Sequence, residues 1–119
     1  GATPLFMASQ NGHLEVVQAL LAAGASKDQA RNTGGTPLCI ASENGHLEVV
    51  QALLAAGASK DQARNMGATP LYIASQNGHL EVVQALLAAG ASKDQARNDG
   101  ATPLCLASYG GYLEVVQAL

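Results

Sequence analysis

Apolar and polar positions follow one another in blocks along the chain. A short apolar stretch, Pro4-Leu5-Phe6-Met7-Ala8, gives way to a polar break at Gln10-Asn11-Gly12-His13. A longer apolar stretch then runs from Leu14 to Ala23. Within it Leu14, Val17, Leu20 and Leu21 stand at i, i+3, i+6 and i+7, one face of a helix, while Glu15 and Gln18 fall off that face. Leu5 and Ala8 form the matching apolar side of a shorter helix. The pattern predicts a first helix from about Pro4 to Gln10 and a second from Leu14 to Ala22 or Ala23. Thr3 suits the N-cap and Pro4 the first helical position, where a missing N–H costs nothing. Gly12 suits the left-handed position that ends the first helix, and Gly24 stops the second. Residues 25–34 (ASKDQARNTG) are polar and aperiodic, which predicts an extended loop and turn.

The same blocks return at a fixed interval. Thr-Pro-Leu begins at Thr3, Thr36, Thr69 and Thr102, a constant step of 33 residues. The chain divides into units 1–33, 34–66, 67–99 and a partial unit 100–119, which we read as one domain. Units one and three differ at only three columns: Phe6/Tyr72, Met7/Ile73 and Thr33/Asp99. A period of this length marks a solenoid whose units pack only against their neighbours. Helices shorter than about 12 residues are marginal in isolation, so stacking must supply the burial. The predicted class is all-α, a stack of helix-turn-helix units with projecting loops.

The repeated G-x-T-P-L opening, Ala8, Gly12-His13-Leu14-Glu15-Val16-Val17, Leu20-Leu21 and Gly24-Ala25 together resemble the ankyrin-repeat family, over essentially the whole chain. The resemblance implies helix pairs side by side, a row of β-turns, and a concave face lined by turns and first helices. It implies protein binding through that face, without a cofactor. Three departures stand out. The family's His after Thr-Pro-Leu is replaced by Phe6, Cys39, Tyr72 and Cys105, so any hydrogen bond that His makes is lost. Arg31, Arg64 and Arg97 stand where the turn usually carries an acid; we expect them to face Asp28, Asp61 and Asp94. Polar capping units are missing: the array begins inside a unit at Gly1 and stops inside a second helix at Leu119. That predicts end-to-end self-association or a piece of a longer array.

Seven columns vary between units, six on or beside the first helix and one at the turn tip. Apart from Ala2/Gly35/Ala68/Ala101 and Asn11/Asn44/Asn77/Gly110, they hold Phe6/Cys39/Tyr72/Cys105, Met7/Ile40/Ile73/Leu106, Gln10/Glu43/Gln76/Tyr109, His13/His46/His79/Tyr112 and Thr33/Met66/Asp99. The Met/Ile/Leu column reads as core substitution of nearly conserved volume. Drift or recent duplication could produce the rest, but the columns of Glu15 and Gln18, expected on the surface, never change. The Phe/Cys/Tyr/Cys column varies widely in volume, which points to an open groove. We therefore expect a protein or peptide partner to meet Phe6, Gln10, Thr33, Cys39, Glu43, Met66, Tyr72, Gln76, Asp99, Cys105 and Tyr109. Met66 and Tyr109 stand out, since Met adapts at binding surfaces and Tyr offers area with a polar tip. The alternative is a consensus-like or engineered array, or a spacer, with no partner of its own; near identity of the units favours it.

Composition narrows the chemistry. The chain holds 23 Ala, 16 Leu and 8 Val against 1 Phe and 3 Tyr, so its core is small and aliphatic. Net charge is −3, which disfavours nucleic acid as a partner. No apolar run approaches the length that spans a bilayer, so no membrane partner is expected. Cys39 and Cys105 lie two units apart, roughly 20 Å at ordinary helix spacing, too far for a disulfide. Free thiols suit a reducing compartment inside the cell, the cytoplasm. His13, His46 and His79 are each a unit apart, too far to share a zinc ion, and should bond neighbouring backbone at the helix junction. No nucleophile, base and orienting acid converge, so no enzyme, metal or cofactor is expected. Lys27, Arg31 and their copies form a thin basic row interrupted by Asp28 and its copies, read as solvated turn chemistry.

Overall fold

The computed structural model describes residues 2–32 and 34–119. The helices are α1 (Pro4–Gln10), α2 (Leu14–Ala22), α3 (Pro37–Glu43), α4 (Leu47–Ala55), α5 (Pro70–Gln76), α6 (Leu80–Ala88), α7 (Pro103–Gly110) and α8 (Leu113–Ala118), with one 3₁₀ turn at Asn65–Gly67. No strand occurs among the described residues. Each first helix starts as its sequence demands. Thr3, Thr36, Thr69 and Thr102 each accept a hydrogen bond on Oγ1 from the backbone N–H three residues on, at 3.1–3.3 Å, with Pro at the next position.

The helices form two layers. The first helices α1, α3, α5 and α7 pack in sequence, as do α2, α4, α6 and α8, and each unit closes by packing its own pair. The stack measures 39 × 25 × 22 Å. Its core is the aliphatic column anticipated above: Leu5, Leu38 and Leu71 from the first layer, with Val17, Val50, Val83, Leu53 and Leu86 from the second. Small Ala41, Ala74 and Ala107 let the first helices approach closely. One buried column escapes single-helix periodicity. Val49 and Val82 are fully buried, yet their copy Val16 is 50% exposed. A valine there is covered by the preceding unit, so its burial belongs to the stack and not to the helix. Leu14, Leu20 and Leu21 are partly buried against the core.

Polar fasteners set the register between units. His46 Nε2 lies 3.0 Å from the Gln10 carbonyl oxygen, and Asn44 Nδ2 donates to the same oxygen at 3.0 Å. His79 and Asn77 repeat this on the Glu43 carbonyl at 2.9 and 3.3 Å. His46 and His79 thus bond neighbouring backbone, as the sequence predicts, whereas His13 makes no such bond among the described residues. Gly12 is required here twice over: its φ is +72°, and a Cβ on it would come within 2.8 Å of the His46 ring. At the loop end, Asp28 accepts from the Ser59 N–H at 2.8 Å and Asp61 from the Ser92 N–H at 2.9 Å. This corrects the expectation for the turn arginines. The aspartates hold the next unit's backbone, and Arg31, Arg64 and Arg97 go elsewhere.

Candidate functional site

The turns and the first helices share one face, and each turn is closed by its arginine. The Arg31 N–H donates to the Gly35 carbonyl at 2.9 Å while the Gly34 N–H donates to the Arg31 carbonyl at 2.8 Å. Arg64 and Arg97 close their turns in the same way. The guanidinium groups then fold back over their own units. That of Arg31 lies 5.0 Å from the Phe6 ring centroid and that of Arg97 5.2 Å from the Tyr72 centroid. Unit two offers no ring at this place, only Cys39, and there Arg64 Nη1 reaches Glu43 Oε1 at 2.7 Å. Arg97 additionally pairs with Asp99, which also accepts from the Ala101 N–H at 3.1 Å. The Arg97 hydrogen bond, supported by that N–H, holds the Asp99 carboxyl down at about 2.

This arrangement corrects the open-groove reading of Phe6, Cys39 and Tyr72, which are 3%, 1% and 1% exposed. Where this column holds a ring, the turn arginine lies over it; where it holds Cys39, the arginine pairs with Glu43 instead. Cys39 and Tyr72 form a small apolar cluster with Ala68 and Ile73, joined by Ala101 and Leu106. The Cys39 thiol donates to the Gln62 carbonyl at 3.6 Å. Burial pushes the Tyr72 phenol up, against the pull of Arg97. Cys105, in the same column, is exposed. Thr33 lies outside the described residues.

The remaining columns do lie where a partner could touch them. Gln10 and Glu43 are partly exposed; Gln76 and Asp99 are exposed. Tyr109 is 92% exposed and Met66 58%. Met66 is also the one non-glycine residue with positive φ among those described (φ 68°, ψ 5°), and its carbonyl accepts from the Asn98 N–H of the next turn at 2.8 Å. Side chains other than Gly, Asn or Asp pay for that backbone region, on the order of 1 kcal/mol. The arginines were missed as site residues. A signal for them existed: an aromatic goes with Gln in units one and three, Cys with Glu in unit two, as if each pair were matched to the Arg of its turn.

Positive charge is confined to the loops, where Asp28, Asp61, Asp94 and Asp99 accompany it. Every Lys and Arg stands in a loop, whereas Glu15, Glu48, Glu81 and Glu114 form an exposed row at the starts of the second helices. Lys27 and Lys60 extend over Gly57 and Gly90, just past the ends of α4 and α6. Lys93 Nζ donates to the Leu119 carbonyl at 3.4 Å. Cations there complement the negative helix ends. Shallow hollows lie between successive second helices, lined for example by Gly45, Leu47, Gly78, His79 and Glu81.

A family model described as ankyrin repeats (three copies) matches residues 1–64 and 59–119. Comparison with curated proteins finds no match. Among the described residues no helix is long and apolar enough to cross a membrane.

Proposed function

This chain belongs to the ankyrin-repeat family, whose repeats are generally protein-interaction modules and typically non-enzymatic scaffolds; on that premise we propose that it holds a protein or peptide partner on its turn-and-first-helix face. The contact residues in this reading are Gln10, Glu43, Met66, Gln76, Asp99 and Tyr109. The observation that supports it best is Met66, an apolar side chain displayed at a turn tip in a backbone region that glycine occupies more cheaply. Tyr109 adds a second displayed anchor. Because the stack fixes these side chains before contact, little ordering entropy opposes binding. The unpaired Cys39 and Cys105 fit work in a reducing compartment, the cytoplasm, with residues 1–119 acting as one domain and without a cofactor.

The test starts from binders selected on the folded chain and compares their affinity for Met66→Ala and Tyr109→Ala. Loss of affinity in both supports the face; unchanged affinity removes it. A second reading, an array or spacer with no partner of its own, draws on the near identity of units one and three; absence of any selectable binder would favour it. The exposed apolar side chains Val16 and Leu113 also support association between copies of this chain. A sedimentation coefficient that does not change with concentration would exclude that.

A further inference from the structure

We infer that the partner of this face is an acidic, extended protein segment that places one carboxylate on Arg31 and an apolar or aromatic side chain near Tyr109. The inference rests on the reading that this face binds protein, and adds the partner's chemistry. It comes from comparing three arginines that occupy one column. Arg64 is engaged by Glu43 at 2.7 Å, and Arg97 by Asp99. Arg31 is exposed and has no carboxylate partner among the described residues. Its own unit carries Gln10 where unit two carries Glu43. Yet Arg31 is not a loose surface charge. Its guanidinium is stacked on the buried Phe6 ring at 5.0 Å, and its backbone closes the turn through two hydrogen bonds. The Arg31 guanidinium makes no side-chain hydrogen bond among the described residues, and it is a planar donor fork matched to a carboxylate.

The rest of the face fixes polarity. Along the row from unit one to unit four it presents a free cation at Arg31, the internally neutralised pairs Arg64–Glu43 and Arg97–Asp99, and then the exposed ring of Tyr109. Met66 stands between. Glu43 shares its column with Tyr109 and pairs with a turn arginine, which places both columns on the turn side. Helix layers are about 8–10 Å apart, so three steps cover roughly 24–30 Å. An extended chain advances about 3.3 Å per residue. The acid and the apolar anchor of the partner are therefore separated by about eight residues. A basic segment would meet a like charge at Arg31, which no carboxylate pairs with among the described residues.

A library of random decapeptides displayed against the folded chain tests this. Selected peptides are expected to carry Asp or Glu at one end and an apolar residue near the other. Arg31→Gln should weaken the best of them roughly tenfold, while Lys27→Gln, an equal change in net charge at the end of α4, should alter affinity less than about twofold. Arg31→Glu should select Lys or Arg at that peptide position. Circular dichroism checks that the variants remain folded. If peptides bind and lose affinity on Met66→Ala and Tyr109→Ala, but show no acidic preference or ignore Arg31→Gln, this inference is overturned and the binding face stands. If no peptide is selected, or binding ignores Met66 and Tyr109 as well, the binding face falls and the inference with it.

Discussion

His46 Nε2 stands 3.0 Å from the carbonyl oxygen of Gln10, one unit earlier in the chain. The contact depends on what is missing at residue 12. The ring rests where a Cβ on Gly12 would come within 2.8 Å of it, so glycine and imidazole form a matched pair, repeated by Gly45 and His79. Between units three and four the pair changes. Tyr112 takes the ring position over Gly78, and Gly110 replaces the Asn that helps hold the carbonyl. Neither supplies a side-chain hydrogen bond to Gln76 among the described residues.

The fourth unit should therefore be the most weakly fastened. Amides of α7 and α8 are expected to exchange with solvent faster than those of α3 to α6, measured by hydrogen exchange. Gly110→Asn with Tyr112→His together should stabilise the protein by about 1–2 kcal/mol in urea unfolding, the value of two regained hydrogen bonds. Gly110→Asn alone should not, because a Cβ on residue 110 would come within 2.5 Å of the Tyr112 ring. Equal effects of the single and double changes would contradict this pairing.

The Oγ atoms of Ser9, Ser42 and Ser75 and the hydroxyl of Tyr72 are buried without a hydrogen-bond partner. An unpaired buried hydroxyl costs about 1–3 kcal/mol. Ser42→Ala should raise the denaturation midpoint, by about 1 kcal/mol of stability, and Tyr72→Phe should do the same, since Phe6 already serves unit one in that column. A loss of stability in both would mean these hydroxyls are satisfied in solution.

Asp99 carries a pH dependence with a definite sign. Its carboxyl is held near 2, below the ordinary 3.8, by the hydrogen bond from Arg97 and then by the Ala101 N–H. A depressed folded-state value means the contact is fully present above the ordinary value and is lost as pH falls from about 4 towards 2. Carboxyl NMR should follow Asp99 titrating close to 2, and Arg97→Gln should move it back up. An ordinary value in the unaltered protein would show that the turn is open.

The two thiols should differ in reactivity. Cys39 is buried, whereas Cys105 is exposed and accepts a hydrogen bond from the Thr102 hydroxyl at 3.2 Å, which lowers its pKa. Iodoacetamide should label Cys105 quickly and Cys39 only as the stack opens, with the difference vanishing in denaturant. Rapid labelling of both would return the Phe6/Cys39/Tyr72 column to the surface.

What the sequence discloses divides at the boundary between units. Helix limits were legible because their causes are local: Thr3 caps, Pro4 starts and Gly12 turns within a few residues of one another. Loop length and helix pairing followed from the period. Less visible was anything a neighbour decides. Val49 is buried by the preceding unit while Val16 is not, though the two sit in identical local sequence. Phe6 and Tyr72 vary like surface residues, but the turn arginine of each unit lies over the ring. For the same reason Asp28 and Asp61 turned out to hold the next loop's N–H instead of an arginine.

The segregation of charge gives the molecule a heading. The four glutamates of the second-helix starts all carry one sign, whereas Asp28, Asp61, Asp94 and Asp99 offset four of the six loop cations, so the dipole between the two edges is set mainly by the glutamate row. An anionic chain diffusing nearby feels a torque that swings the turn edge towards it before any atom touches. At physiological salt that guidance reaches only about 8 Å. It acts on the final approach, favouring arrivals that present the partner to the turns over those that strike the far edge.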